Sequence, residues 1–131
     1  MVLYQQLKQL KENDTPLLIG LIGAGKFGTM FASQAIRLPG IHVVGIADLD
    51  IKSCKSNLEL AGWRPEIYQA NSLDQALVTG TTCILEDYLD LINESRIDII
   101  IECTGNPVAA IDHIISAFDS GKHVISATVE A

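Results

Sequence analysis

The segment LIGLIGAGKFGTMFASQAI, residues 18–36, constrains the fold more than any other part of the chain. Leu17–Ile22 is a continuous apolar run of strand length with no polar face, which predicts a strand covered on both sides. It breaks at Gly23-Ala24-Gly25-Lys26-Phe27-Gly28. Beyond the glycines, Phe27, Met30, Phe31, Gln34, Ala35 and Leu38 recur at helical spacing, predicting a helix with that face inward, closed by Pro39-Gly40. A strand that turns through glycines directly into a helix presents unpaired N–H groups and a positive dipole end to whatever occupies the turn.

The remaining elements follow the same alternation. Residues 2–12 read as a helix with Leu3, Leu7 and Leu10 on one face, stopped by Asn13–Pro16. Ile41–Ala47 is a second buried strand, closed by Asp48. Ile51, Cys54, Leu58 and Ala61 mark a helix face, with Gly62 as its stop. A short strand is expected around Glu66–Tyr68 and a helix over Leu73–Val78. Thr81–Leu85 reads either as a strand or as the lead-in to a helix over Glu86–Ile92. Ile97–Glu102 is strand-like, and Asn106-Pro107 has the form of a helix cap with proline at the first position. Val108, Ile111, Ile115 and Phe118 are expected on the inner face of that helix, Gly121 ends it, and His123–Ala127 is one more strand. Parallel strands need crossover helices of fixed hand. The pattern predicts a single domain over 1–131, a Rossmann-type doubly wound parallel sheet in a three-layer α/β/α arrangement.

That context gives the three glycines distinct tasks: a tight turn at Gly23, close backbone approach to a pyrophosphate at Gly25, and close helix-to-strand packing at Gly28. Ala24, Lys26 and Phe27 complete the loop. Asp48 ends the second strand, where a carboxylate can accept from an adenosine ribose. A plain strand-to-helix turn would not require this aspartate, so the motif is read as binding a nicotinamide dinucleotide. Asp48 repels a 2′-phosphate and Leu49 stands where an arginine would signal NADP, which leans the choice to NAD; Lys52 and Lys55 are read as solvated. Thr104 and Gly105, at the end of the fourth long strand, are expected beside the nicotinamide half. Lys26 is read as solvent-facing. Cys103 is read as a core thiol, because nothing in the sequence places a base beside it.

A net charge of −7 argues against a nucleic-acid backbone or an anionic membrane as partner. With 48% hydrophobic residues the chain can bury a core. Cys54, Cys83 and Cys103 lack disulfide or metal spacing, and His42, His113 and His123 are scattered, so no metal is expected. The N-terminus has no signal-peptide pattern, and a cytoplasmic location is expected.

PLLIGLIGAGKFG, LPGIHVVGIADLD and IDIIIECTGNPVAAIDHIISAFDSGKHVISATVEA resemble the N-terminal domain of the homoserine dehydrogenase-like oxidoreductases, in the branch with a C-terminal SAF domain. The resemblance covers nearly the whole chain. It implies NAD(P)-dependent oxidation or reduction of a small hydroxy or oxo compound, with Gly23, Gly25, Gly28, Asp48, Thr104 and Gly105 as cofactor residues. Homoserine dehydrogenases carry an Asn-Lys pair after the last strand here, whereas this chain has Val129-Glu130, so a different substrate is expected. The substrate domain with its acid–base group is expected in further chain, leaving no catalytic residue assigned. Glu102 and Glu130 stand near the cleft rim and are read as surface carboxylates. The other class that fits is an NAD(H)-sensing module without chemistry. An exposed sheet edge also makes a homodimer an expectation.

Overall fold

A computed structural model describes residues 2–128. Strand β1 (Leu17–Ile22) lies at the centre of a five-stranded sheet, and its last four residues are buried. Its neighbours are β2 (Ile41–Ala47) and β4 (Ile99–Glu102); β3 (Cys83–Leu85) and β5 (His123–Ser126) form the edges. The order is β3-β2-β1-β4-β5 and every pairing is parallel. This is the doubly wound arrangement, with its chain reversal between β1 and β4. The register of β1 against β2 shifts between Ile19 and Gly20, where Ile19 pairs with Val43 and Gly20 with Gly45.

Helix α1 (Val2–Glu12) precedes the sheet, and α2 (Lys26–Ala35) and α3 (Ile51–Leu60) pack on one face of it. Helices α4 (Leu73–Thr79), α5 (Tyr88–Ile92) and α6 (Pro107–Asp119) cover the other face. Caps define their ends. Asp50 accepts from Ser53 N at the start of α3, Ser72 from Gln75 N before α4, and Asn106 from Ala109 N before α6. Gly80, with φ of 71°, ends α4 in the left-handed conformation.

Three expectations about elements are corrected. Glu66–Tyr68 is not a strand: Pro65–Ile67 form a 3₁₀ turn, with Pro65 fixing φ and Tyr68 N donating to Pro65 O. In α1, Leu7 is buried and Leu10 half-buried, but Leu3, in the first turn, is exposed. Helices α2 and α6 are rotated from the expected orientation. Gly28, Ala32 and Ala35 face the sheet in α2, and Ala110, His113 and Ala117 do so in α6. Phe27, Met30 and Leu38 are exposed, as are Val108, Ile111, Ile115 and Phe118. Phe31 remains packed against the core.

Candidate cofactor-binding site

Between β1 and α2 the chain turns at Gly23, whose φ is 93°. Its N–H donates to Ala47 O at the end of β2, tying the turn to the neighbouring strand. A side chain here would have both a strained φ and a Cβ 2.9 Å from the Cys103 backbone. At Gly28 a Cβ would lie 2.0 Å from Gly23 O, so only glycine lets α2 start this close to the turn. Gly25 is the opposite case. Its φ is an ordinary −78° and an added Cβ would meet no atom within 4 Å. The position is open, a place where a ligand's oxygens can approach the backbone. The N–H groups of Lys26, Phe27 and Gly28, in the first turn, have no intrahelical acceptor. The Lys26 and Phe27 side chains point outward, so the loop offers backbone rather than side-chain donors.

The Ala24 peptide is held at both ends. Its N–H donates to Asp48 Oδ2 at 2.9 Å, while its carbonyl accepts from Thr29 Oγ1 and Asn57 Nδ2, each at 2.9 Å. Asp48 Oδ1 in turn accepts from Asp50 N. Capping of α3 falls to Asp50, whose carboxylate takes both Ser53 N and Ser53 Oγ. Asp48 is therefore not spent as a cap; it braces the loop from the end of β2 and stays half-buried beside it. Thr29 and Asn57 are site residues that motif reading missed. Asn57 sits two turns into α3, and only the packing of α3 against α2 brings it to Ala24.

The largest correction concerns Glu102, which is fully buried rather than at a surface. Its Oε1 accepts from Thr104 N at 2.8 Å, Thr104 Oγ1 at 2.6 Å and Thr128 Oγ1 at 3.1 Å. Its Oε2 is paired with His113 Nδ1. Burial pushes the Glu102 pKa up, but the hydrogen bonds from His113 and Thr104 outweigh it and hold the carboxyl below its ordinary value. The same network sets the turn after β4: Gly105 N donates to Thr128 Oγ1, and Asn106 N to Thr104 Oγ1. Thr104 and Gly105 are thus positioned by a buried carboxylate. Cys103 is buried beside them, and burial followed by the nearby Glu102 pushes its thiol up to about 11, so it is no nucleophile at neutral pH. Val129 and Glu130 lie outside the described residues.

These pieces open on one cavity of about 500 Å³ at the carboxyl ends of the strands. Gly23, Gly25 and Asp48 line one side, and Tyr88, Thr104 and His113 the other. A larger groove of about 1120 Å³ lies at the amino ends of the strands, between α1 and the α2–β2 turn. It has no glycine loop, and ligands of open parallel sheets bind at the carboxyl end. The glycine loop, the open helix start and the bracing aspartate on one cavity define a dinucleotide-binding domain of the Rossmann class. Residues 19–131 match the family described as homoserine dehydrogenase, NAD binding domain, and the chain belongs to that family. It is an NAD-binding domain of the oxidoreductase type.

Among known proteins, the chain is similar to inositol 2-dehydrogenase of Rubrobacter xylanophilus, with 23% identity over 92% of this chain and 34% of that enzyme. It thus spans about a third of the length of that relative. Its fold matches an NAD-binding oxidoreductase from Klebsiella pneumoniae, with TM-score 0.57 and 21% identity over 85% of this chain and 27% of that one. It also matches scyllo-inositol dehydrogenase from Lactobacillus casei, solved with NAD(H) and scyllo-inositol, with TM-score 0.53, 21% identity and the same coverage of both chains. No helix among the described residues is long and apolar enough to cross a membrane.

Proposed function

We propose that this chain is the nucleotide half of a dehydrogenase that passes a hydride between nicotinamide and a small hydroxy or oxo compound, with NAD preferred over NADP. The observation that carries the reading is the pairing of the glycine loop with Asp48, which share a hydrogen bond and open on one cavity. Gly23, Ala24, Gly25, Lys26, Phe27 and Gly28 hold the pyrophosphate, mainly through backbone N–H groups. Asp48 takes the adenosine ribose and repels a 2′-phosphate. Leu49, 87% exposed, brings no compensating cation to that position. Thr104 and Gly105 border the nicotinamide half.

The inositol dehydrogenases among the similar proteins support an alcohol-to-carbonyl reaction for the whole enzyme. In this reading the chain is the N-terminal domain of a longer, homoserine dehydrogenase-like protein whose further chain supplies the acid–base group. A homodimer through the β5 edge belongs to the same proposal, because among the described residues β5 pairs with β4 alone and the apolar row of α6 is exposed.

Calorimetric titration of the chain with NADH and NADPH tests the cofactor reading. NADH is expected to bind more tightly, and Asp48→Ala is expected to weaken NADH about tenfold and abolish the preference. Equal affinity of the unaltered chain for both dinucleotides would overturn the role given to Asp48.

A further inference from the structure

Away from the cleft, α6 carries an apolar row whose direction in the fold can be read from its neighbours. Ala110 and Ala117 lie against the sheet, and His113, to one side of them, packs against Tyr88 of α5. At 3.6 residues per turn, Val108, Ile111, Ile115 and Phe118 fall on the other side, away from α5. Helix α5 rests on β1 and β2, whereas α6 rests on β4 and β5. The row is therefore aimed past β5, the edge of the sheet. Its four side chains are 76, 47, 52 and 62% exposed.

The edge strand beside the row lacks the residues that guard such edges. β5 reads HVIS, with no Lys, Asp, Glu or Pro. His123 N and Ala127 N donate inward to Asp98 O and Glu102 O. Alternation along the strand turns the N–H and C=O groups of Val124 and Ser126 outward, onto the free edge. Ile125, on the sheet face opposite α6, is 55% exposed. At these exposures the five side chains offer on the order of 500 Å² per copy, a large part of the roughly 800 Å² per partner that a stable interface buries.

The spacing of the row points to its occupant. Positions 108, 111, 115 and 118 are separated by three, four and three residues, a pattern that reads the same from either end. A twofold axis through the β5 edge, perpendicular to the sheet, pairs that strand antiparallel with its copy and keeps both α6 helices on one face. Strands lie about 4.8 Å apart and α6 straddles β4 and β5, so the two helices stand roughly 10 Å apart, the separation of packed helices. Val108 then meets Phe118 of the second copy, and Ile111 meets Ile115. Asp112 and Asp119 fall on the outer side of α6, so the seam is uncharged although each copy carries −7.

We propose that α6 and β5 form one self-complementary surface, occupied by a second copy of this chain with the two α6 helices antiparallel. The inference rests on the homodimer reading above and assigns its alignment. It is independent of the dinucleotide reading, because the row lies outside the cleft.

Sedimentation of the chain over a concentration series, with Ile111→Lys and Ile115→Glu alone and mixed, tests the alignment. The unaltered chain is expected to dimerise. Each single variant places a charge against an isoleucine in both halves of the seam and should weaken the dimer tenfold or more. Both positions are exposed, so the fold and the affinity for NADH should not change. In an equal mixture the ammonium at 111 faces the carboxylate at 115 of the other copy, while the remaining half of the seam keeps its two isoleucines. The mixture should therefore dimerise more tightly than either variant alone, a rescue that an unfolded variant could not give. A dimer indifferent to both substitutions overturns the α6 seam and leaves the homodimer reading standing. Loss of the dimer in both variants without rescue on mixing overturns the antiparallel alignment. A monomeric unaltered chain overturns the homodimer reading and this inference with it.

Discussion

At the scale of single residues, the glycine loop separates two demands that its sequence leaves merged. Gly28 is required by the protein itself, since its missing Cβ is the space in which Gly23 O sits. At Gly25 an added Cβ would meet no atom of the protein. Gly28→Ala is expected to destabilise the fold by about 1–3 kcal/mol through overpacking. Gly25→Ala is expected to leave stability within about 0.5 kcal/mol, yet to weaken NADH about tenfold or more by filling the approach to the backbone. Urea unfolding and NADH titration on both variants check the pair; a stable Gly28→Ala, or an NADH-competent Gly25→Ala, would reverse the assignments. The glycines and Asp48 were legible because their tasks are local to a strand end and a turn. Glu102, Asn57 and His113 were not, because their partners lie far away in the chain: Asn57 reaches Ala24 across 33 positions. A carboxylate at the end of IDIIIE looks the same in sequence whether it meets water or a buried histidine.

Among the elements, the helices show what periodicity can and cannot give. Helix positions and caps were readable, including Asn106 at the start of α6. The inward faces of α2 and α6 were misassigned because each helix carries a bulky apolar stripe beside the one it buries, Gly28, Ala32 and Ala35 in α2 and Ala110, His113 and Ala117 in α6. Helices lying close on a sheet bury the small stripe, since Ala and Gly permit the approach, and bulky side chains are turned outward. The GKHV segment holds a second lesson. Lys122 is 8% exposed, and its ammonium donates to the carbonyls of Glu94 and Ile97, closing the connection between α5 and β4. Lys122→Met keeps the stem and removes the charge, leaving two carbonyls short of a donor. It is expected to cost about 1–3 kcal/mol, read as a lower urea midpoint with an unchanged slope. No change in midpoint would show that water replaces the ammonium there.

For the whole molecule, the Glu102 network matters because it joins β4, α6 and the segment after β5 through one carboxylate. Its pKa is held below the ordinary 4.5 in the folded protein. Unfolding therefore takes up a proton in the interval between the two values, so this group's contribution is complete above 4.5 and is lost as the pH falls through the folded value. Denaturant unfolding as a function of pH should show stability falling below 4.5, with a shallower fall in Glu102→Gln. Identical pH profiles would mean that the burial penalty cancels the hydrogen bonds.

The sequence by itself determined the alternation of strands and helices, the parallel sheet it implies, and the glycine turn with the aspartate that braces it. Each of these depends on residues near one another in the chain and on backbone rules that hold wherever such a segment occurs. Only the tertiary structure decided which helix faces are buried, which carboxylate is shut away from water, that Asn57 holds the Ala24 carbonyl, and that Glu102 pairs with His113. Those outcomes depend on how closely separate elements approach, and the spacing of residues along a chain does not carry that distance.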